Sequence, residues 1–182
     1  GTNEKQLQWI ENENWEYKTT FILSEKEKNN ANCLLQLDGL DTYATVYLNN
    51  TLVLDANNMF RTWKVDVKKL LKVGSNELKI VFTSSVNIAK EEAKKLSYTL
   101  PGDEKVFVRK AQYQFGWDWG PRFVTAGIWK PIKLLFWNEA QITNVRFEQK
   151  ELINNLAKLN FKFTITTQKA GNYVVKMDKM PF

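Results

Sequence analysis

The chain has 182 residues, of which 43% are hydrophobic and 25% are charged, and both values are ordinary for a soluble globular protein. It contains no histidine, which excludes Ser-His-Asp and Cys-His catalysis, histidine-ligated zinc and imidazole general bases. The single cysteine, Cys33, excludes an internal disulfide and a CxxC metal or redox pair. The net charge of +6 comes from lysines spread along strand-like segments, so we expect no nucleic-acid partner.

No part of the sequence approaches the roughly 18 consecutive apolar residues of a membrane span, so we expect no membrane partner. The chain begins with a polar segment, GTNEKQLQWIENENW, which lacks the apolar centre of a signal peptide. Because a signal could have been removed before Gly1, the compartment stays open.

Short strand-like runs and turn signals alternate along the first half of the chain. Residues 43–48 carry β-branched and aromatic residues at strand period. Asn49 and Asn50 both tolerate positive φ, which predicts a tight hairpin into 51–54. Strand patterns also occur at 34–37, 63–67 and 78–82. Short strands at this spacing favour an antiparallel sandwich or a jelly roll.

One segment, 86–96, breaks the strand pattern and predicts a short helix capped by Ser84 or Ser85. The absence of a wide apolar stripe places this helix on the surface. We expect strands to resume at 106–108 and again at 128–137. The proline within the second run must lie at a sheet edge, a strand start or a bulge, because it cannot donate to the ladder.

The character of the sequence changes at 138–141, which reads as a short connection. Apolar and polar residues then alternate over 159–165, as in a strand with one buried face. A turn at Gly171-Asn172 predicts a further strand over 173–177. Since two or three strands cannot close a stable sandwich, this region is interpreted as the start of a second β domain.

The stretch with the most distinctive chemistry is Phe115–Gly120, which packs three aromatic residues, one carboxylate and two glycines into six positions. As a loop it can present Trp117, Asp118 and Trp119 to one pocket. The carboxylate can accept two hydroxyl hydrogen bonds, and its charge strengthens them. Flat indole faces suit the apolar C–H patches of a pyranose. The pattern therefore favours sugar recognition.

A structural role for the same residues is the competing interpretation. Taken singly, Trp117 and Trp119 are each better placed in a core than in a pocket on general burial tendencies. For Asp118 a pocket is favoured, because a buried carboxylate would need a full set of partners. Arg109 and Arg122 could orient Asp118 or bind substrate, and a plain surface role is equally open.

Catalysis within the chain is not expected. A retaining glycosidase needs two carboxylates about 5–5.5 Å apart across one bond, and Glu11, Glu13 and Glu16 resemble a polar N-terminal segment instead. Cys33, in an apolar strand context, is expected to be an inert core thiol. Packing roles are expected for Trp9, Trp15, Trp63, Trp129 and Trp137.

Several segments together resemble the N-terminal sugar-binding domain of glycoside hydrolase family 2. They are WEY at 15–17, LDGLDTYATVYLN at 37–49, NMFRTW at 58–63 and GSNEL at 74–78. A longer motif is similar to the β-mannosidase branch of that family. It consists of RKAQYQFGWDWGP at 109–121 and GIWKP at 127–131.

The resemblance implies an all-β fold with two parts. The first, 1–139, is a jelly-roll β-sandwich like the galactose-binding domains, truncated at its N-terminal side. The second, 140–182, would be the first strands of an immunoglobulin-like domain, truncated at its C-terminal side. In the family, residues before the equivalent of Gly1 supply at least one strand. We therefore expect an unpaired sheet edge, which invites dimerisation or aggregation.

The resemblance also implies a function. Family members remove terminal β-linked mannose with retention, using two glutamates on a (β/α)8 barrel that lies outside this chain. A loop of the N-terminal domain completes the sugar pocket at the barrel mouth. Carried onto this sequence, Asp118, Trp117 and Trp119 are the candidate substrate-binding residues, with Arg109 and Arg122 in support. Their role would be substrate positioning rather than proton transfer.

The implied partners are a β-mannoside oligosaccharide or glycan and the catalytic barrel of the same polypeptide. We expect no cofactor and no metal at the site, and whether a structural metal is bound stays open. A secreted or periplasmic parent enzyme would fit. Three alternatives stay open. The chain could be a free-standing carbohydrate-binding module, the same domain of a β-galactosidase or β-glucuronidase, or a structural unit whose fold Asp118 anchors.

Overall fold

A computed structural model describes residues 3–177 of the protein, and most of this backbone is in strands. The chain separates into two compact units, the first ending at Phe136 and the second beginning at Trp137. The strands are β1 (Trp15–Leu23), β2 (Asn32–Leu37), β3 (Leu40–Asp41), β4 (Tyr43–Leu48), β5 (Thr51–Asn57), β6 (Trp63–Asp66), β7 (Gly74–Thr83), β8 (Gly127–Ile128), β9 (Ile132–Trp137), β10 (Ala140–Ile153) and β11 (Leu156–Thr167).

Helices are short and few in the described part of the chain. The α-helices are α1 (Asn3–Gln6), α2 (Glu25–Lys28) and α3 (Ser85–Lys94), and the 3-10 helices are Gln8–Asn12, Glu104–Phe107 and Gln112–Phe115. No helix within residues 3–177 is long and apolar enough to cross a membrane.

Two larger sheets build the sandwich of the first unit, and β3 pairs with β8 in a small third sheet. One has the strand order β1-β7-β4-β5, and the other has the order β6-β2-β9. Alternate side chains of β2, β4 and β7 point into the space between the sheets, so that Leu35, Leu37, Val46, Ile80 and Phe82 are almost fully buried in one core. The all-β sandwich predicted from the strand spacing is therefore confirmed.

The hairpin predicted at Asn49-Asn50 is confirmed. Both residues adopt the left-handed conformation, with φ of 50° and 65°, and they join β4 to β5. The Asn49 side chain also fixes the neighbouring turn. Its amide donates to the carbonyl of Leu70 at 2.9 Å, and its oxygen accepts from the backbone N–H of Glu77, also at 2.9 Å.

Helix α3 forms as predicted, with Ser84 as its cap, because the Ser84 hydroxyl accepts from the backbone N–H of Asn87 at 3.1 Å. The expectation of a fully surface helix is wrong. Val86 and Ala89, one turn apart, are buried in a second small core. Two small apolar residues three positions apart are enough to seat one side of a short helix, although they make no wide stripe.

Two further expectations about strands need correction. Residues 106–108, expected as a strand, lie in or beside the 3-10 helix Glu104–Phe107. The run 128–137 divides into β8 and β9, because Trp129, Lys130 and Pro131 interrupt it. Pro131 lies just before β9, one of the three positions expected for it, and its carbonyl accepts from the backbone N–H of Asp38 at 3.0 Å.

Two of the five tryptophans expected to pack are about half exposed. Trp9 lies near Trp15, with ring centroids 5.9 Å apart. Trp129 covers Gly39 so closely that a Cβ there would lie 2.5 Å from the indole nitrogen. That nitrogen donates to the carbonyl of Met59 at 3.0 Å. Their packing is therefore one-sided.

Strands β1 and β9 lie at the ends of their sheets within residues 3–177. Between them runs an apolar groove of about 470 Å³, lined in part by Tyr17, Phe21, Ile80, Ile132 and Leu134. The middle of the inner face of β1 is exposed here, because the sheet opposite has three strands against four. The first unit thus has an open side.

The second unit contains the long antiparallel hairpin of β10 and β11, turned by Asn154 and Asn155 with φ of 49° and 61°. Most of its side chains are exposed, as expected for two strands without a second sheet. The strand predicted at 173–177 is not formed, and those residues are irregular. The assignment of 140–182 to an immunoglobulin-like domain stays a prediction.

Candidate functional site

The distinctive motif folds into a tight turn at Trp117–Gly120. The backbone N–H of Trp117 donates to the carbonyl of Gly120 at 3.1 Å, and the Gly120 N–H donates to the carbonyl of Trp117 at 3.2 Å. Gly116 enters the turn with φ of +92°, a conformation that favours glycine, and Pro121 follows it. Asp118 and Trp119 therefore occupy the tip.

The side chains of this turn face outward. Trp117 is 55% exposed and Trp119 is 82% exposed, with ring centroids 5.7 Å apart and planes inclined at 63°. The expectation that each indole alone belongs to the core is therefore wrong, because both side chains project from the exposed turn and join neither hydrophobic core. The two rings contact each other instead.

Asp118 is also exposed, and within the described residues its carboxylate takes part in no hydrogen bond or ion pair. Asp118 is therefore not a buried anchor of the fold within the described residues, since such an anchor would need local partners. The alternative in which the loop braces this domain against another one stays a prediction. A free carboxylate beside two free indole faces can accept hydroxyl hydrogen bonds while the rings contact C–H groups.

Arg122 makes contacts that hold it away from Asp118. Its Nε donates to Glu11 Oε2 at 2.8 Å and its Nη2 donates to Glu11 Oε1 at 3.0 Å. Its guanidinium also lies 5.3 Å from the centre of the Phe115 ring. Arg109 is exposed, and its backbone carbonyl accepts from the N–H of Met59 at 3.0 Å. In the described part of the chain, neither arginine forms a hydrogen bond or an ion pair with Asp118.

Hydrogen bonds fasten the loop that carries the turn, both in the segment before the turn and in the segment after it. The N–H of Phe123 donates to the carbonyl of Gln114 at 2.9 Å, which joins the segment after the turn to the segment before it. The side chain of Gln8 donates to the carbonyl of Arg122 at 2.9 Å. Together with the Arg122–Glu11 pair, the Gln8 bond holds the segment after the turn against the N-terminal 3-10 helix.

A buried ion pair beneath the loop was not expected from the sequence. Lys110 and Asp41 are 2% and 5% exposed, and Lys110 Nζ lies 2.6 Å from Asp41 Oδ2. Burial lowers the pKa of Lys110, while the nearby Asp41 carboxylate opposes that shift. No sequence signal joins these residues, because β3 and the loop are far apart along the chain.

The residues 3–177 contain no group of three or more Asp, Glu or Cys side chains arranged to hold a metal ion. Cys33 is buried, as expected, and burial raises the pKa of its thiol to about 11. The chemistry available at the turn is therefore that of a carboxylate and two indoles.

The two facing sheets place the first unit among the all-β sandwich domains, and a family model makes the assignment specific. The model described as glycosyl hydrolase 2 galactose-binding domain-like matches residues 1–130. The chain belongs to this family.

Several known proteins are similar to the chain. It is 32% identical to "Beta-mannosidase B" from Aspergillus clavatus, over 98% of this chain and 24% of that protein. It is 37% identical to a "Probable beta-mannosidase" from Caenorhabditis elegans, over 70% of this chain and 16% of that protein. The chain thus spans about a quarter or less of the length of these curated relatives.

Solved structures of glycosidases are also similar to the chain. A beta-D-mannosidase from Dictyoglomus thermophilum matches with a TM-score of 0.87 and 38% identity, over 92% of this chain and 21% of that one. The resemblance to family 2 β-mannosidases, predicted from the motif at 109–121, is confirmed. A beta-D-glucuronidase from the same organism matches at 19% identity with a TM-score of 0.57, over 84% of this chain and 25% of that one, and shows the fold alone.

Proposed function

We propose that this chain is the non-catalytic N-terminal part of a retaining β-mannosidase-like glycoside hydrolase. Its Trp117–Asp118–Trp119 turn would complete the sugar pocket of a (β/α)8 barrel in the same polypeptide. The observation that carries the proposal is the exposed, unpaired carboxylate between two exposed indoles on a fastened turn. The β-mannosidase names of the relatives support the choice of sugar.

The chemistry of the turn suits positioning. When a barrel covers it, the Asp118 carboxylate leaves bulk water, and its hydrogen bonds to two sugar hydroxyls strengthen as the local dielectric falls. The two inclined indoles each offer an aromatic face to the sugar ring. Holding the sugar in a reactive orientation lowers the barrier without any proton transfer by Asp118. The two catalytic carboxylates would come from the barrel.

The decisive experiment is Asp118→Ala in the longer polypeptide, assayed on an aryl β-mannoside. Losing a set of charged hydrogen bonds, roughly 1.5–3 kcal/mol, should lower kcat/KM by about 10- to 150-fold while the fold stays intact. Asp55→Ala, which removes an exposed carboxylate on β5, is the matched control and should leave kcat/KM unchanged. An Asp118→Ala enzyme with unchanged kinetics would rule out the positioning role.

The proposal also predicts that the 182-residue chain alone does not hydrolyse aryl β-mannosides, because both catalytic carboxylates are assigned elsewhere. Pure chain at high concentration, assayed by release of the aryl alcohol, should give the buffer rate. Turnover that follows the chain through two different chromatographic steps would contradict the assignment.

The exposed aromatic turn also favours a second candidate, a free-standing carbohydrate-binding module. The two candidates differ in the affinity of the isolated chain. Titration calorimetry with mannose and mannobiose should give no measurable heat of binding if the barrel supplies most of the pocket. Saturable binding that disappears in Trp119→Ala would favour the binding module.

A further inference from the structure

We infer that the buried Lys110–Asp41 pair and Gln114 form a positioning device that sets where the Trp117–Asp118–Trp119 turn presents its carboxylate to the sugar. This inference rests on the proposed function of the turn.

The pair closes the base of the loop. Lys110 precedes the turn and Thr125 follows it, and Lys110 Nζ donates both to Asp41 Oδ2 at 2.6 Å and to the Thr125 carbonyl at 2.5 Å. One ammonium group thus joins the two ends of the loop to each other and to β3. The Asp41 carboxylate is held in turn by the hydroxyl of Thr42.

Gln114 extends this base toward the turn. Its Nε2 donates to the same oxygen, Asp41 Oδ2, at 2.9 Å, and its backbone carbonyl accepts from the N–H of Phe123 at 2.9 Å. The residue lies four positions before Asp118 in the sequence. The path from the sandwich to the functional carboxylate therefore runs through Asp41 and Gln114.

Arg122, just after the turn, is held by Glu11 and Gln8, and Phe115, just before it, is buried in the second small core. Beyond these residues the tip is exposed, and its two indoles lie against each other. The directional hydrogen bonds at the base add a defined orientation to the turn, because the apolar packing of Phe115 and Val124 alone would allow the loop to shift.

A buried ion pair is poorly suited to the simpler role of stabilising the fold. Removing two charges from water costs free energy that their attraction repays only in part, and apolar residues of similar volume often serve stability as well or better. What the pair supplies and apolar residues do not is a single defined arrangement of the loop.

The first test uses the 182-residue chain and Gln114→Ala, which removes one link of the base and leaves the ion pair. Hydrogen exchange of the Phe123 and Trp117 amides should accelerate by about tenfold, while amides in β4 and β7 keep their protection. Tyr113→Ala, in the same 3-10 helix but with its side chain 68% exposed, is the matched control. Unchanged exchange at Phe123 and Trp117 in Gln114→Ala would overturn the inference.

The second test is a double-mutant cycle in the longer polypeptide. Gln114→Ala should lower kcat/KM for an aryl β-mannoside by about tenfold or more, since small displacements of a positioning group are costly. In an Asp118→Ala background the same change should have almost no further effect. Equal losses in both backgrounds would indicate a general structural role and overturn the inference.

The third test replaces both charges, in Lys110→Met/Asp41→Leu. The double variant should fold with a melting temperature close to that of the parent. Its kcat/KM should be lowered at least as much as that of Gln114→Ala. A double variant that does not fold would assign the pair to stability and overturn the inference. If Asp118→Ala alone left kinetics unchanged, the proposed function would fail, whereas the exchange experiment would still decide whether the base holds the turn.

Discussion

The guanidinium of Arg122 binds the carboxylate of Glu11 through two parallel hydrogen bonds, Nε to Oε2 at 2.8 Å and Nη2 to Oε1 at 3.0 Å. Glu11 lies in the N-terminal 3-10 helix, and Arg122 lies two residues after the Trp117–Gly120 turn. The pair therefore connects the start of the described chain to the loop that carries the candidate site.

This two-pronged pair is half-buried, so its loss should be measurable. Glu11→Gln should lower the free energy of unfolding by about 1–2 kcal/mol, because charged hydrogen bonds are worth more than neutral ones. Urea unfolding of the chain followed by tryptophan fluorescence would measure the change. Glu91→Gln breaks the fully exposed pair with Lys94 and should stay within about 0.5 kcal/mol of the parent.

The exposure of Trp119 gives a second prediction. Trp119→Ala should change the free energy of unfolding by no more than about 0.5 kcal/mol, because the indole is almost entirely in water. Phe82→Ala, in the centre of the core, should cost about 3–5 kcal/mol under the same conditions. A large destabilisation in Trp119→Ala would restore the interpretation of this residue as packing.

Cys33 predicts a pH dependence of stability. Burial raises the pKa of its thiol from 9.0 to about 11, so the folded chain keeps a proton that the unfolded chain releases. This contribution is complete below pH 9 and is lost as the pH rises from 9 to 11. Over that range the parent should lose roughly 2–3 kcal/mol more stability than Cys33→Ala.

The measurement is urea unfolding of both proteins at several pH values. Parallel curves for the parent and Cys33→Ala would contradict the assignment of a buried neutral thiol. An independent check is the reaction of the native chain with a disulfide reagent at pH 8. It should be slow until urea unfolds the chain, because the thiolate is the reactive form.

The open side between β1 and β9 predicts association of the chain. Unpaired edges with apolar neighbours invite pairing with another strand, and charged side chains that point inward at an edge oppose it. Sedimentation of the parent should show concentration-dependent association. Thr19→Lys, which places a charge in the groove, should reduce it. Thr20→Lys, the same substitution on the opposite face of β1 and outside the groove, is the control and should leave association at the parent level.

Local sequence determined those parts of the fold that depend on the conformational preference of single residues or on the spacing of apolar residues. Asn49-Asn50 predicts its hairpin because asparagine accepts positive φ. The buried face of β7 follows from apolar residues at every second position, Leu78, Ile80 and Phe82. The strand expected at 106–108 fails because a short apolar run carries no information about period, and the 3-10 turn there packs beside α3.

For the site, the sequence by itself determined the composition of the turn and the family it resembles, since Trp117, Asp118 and Trp119 are adjacent in the chain. Only the tertiary structure decided that the indoles face outward, that Arg122 binds Glu11 rather than Asp118, and that Lys110 meets Asp41 beneath the loop. The physical reason is distance along the chain. Glu11 and Asp41 are brought to the loop by the tertiary fold, and no local propensity or spacing encodes that meeting.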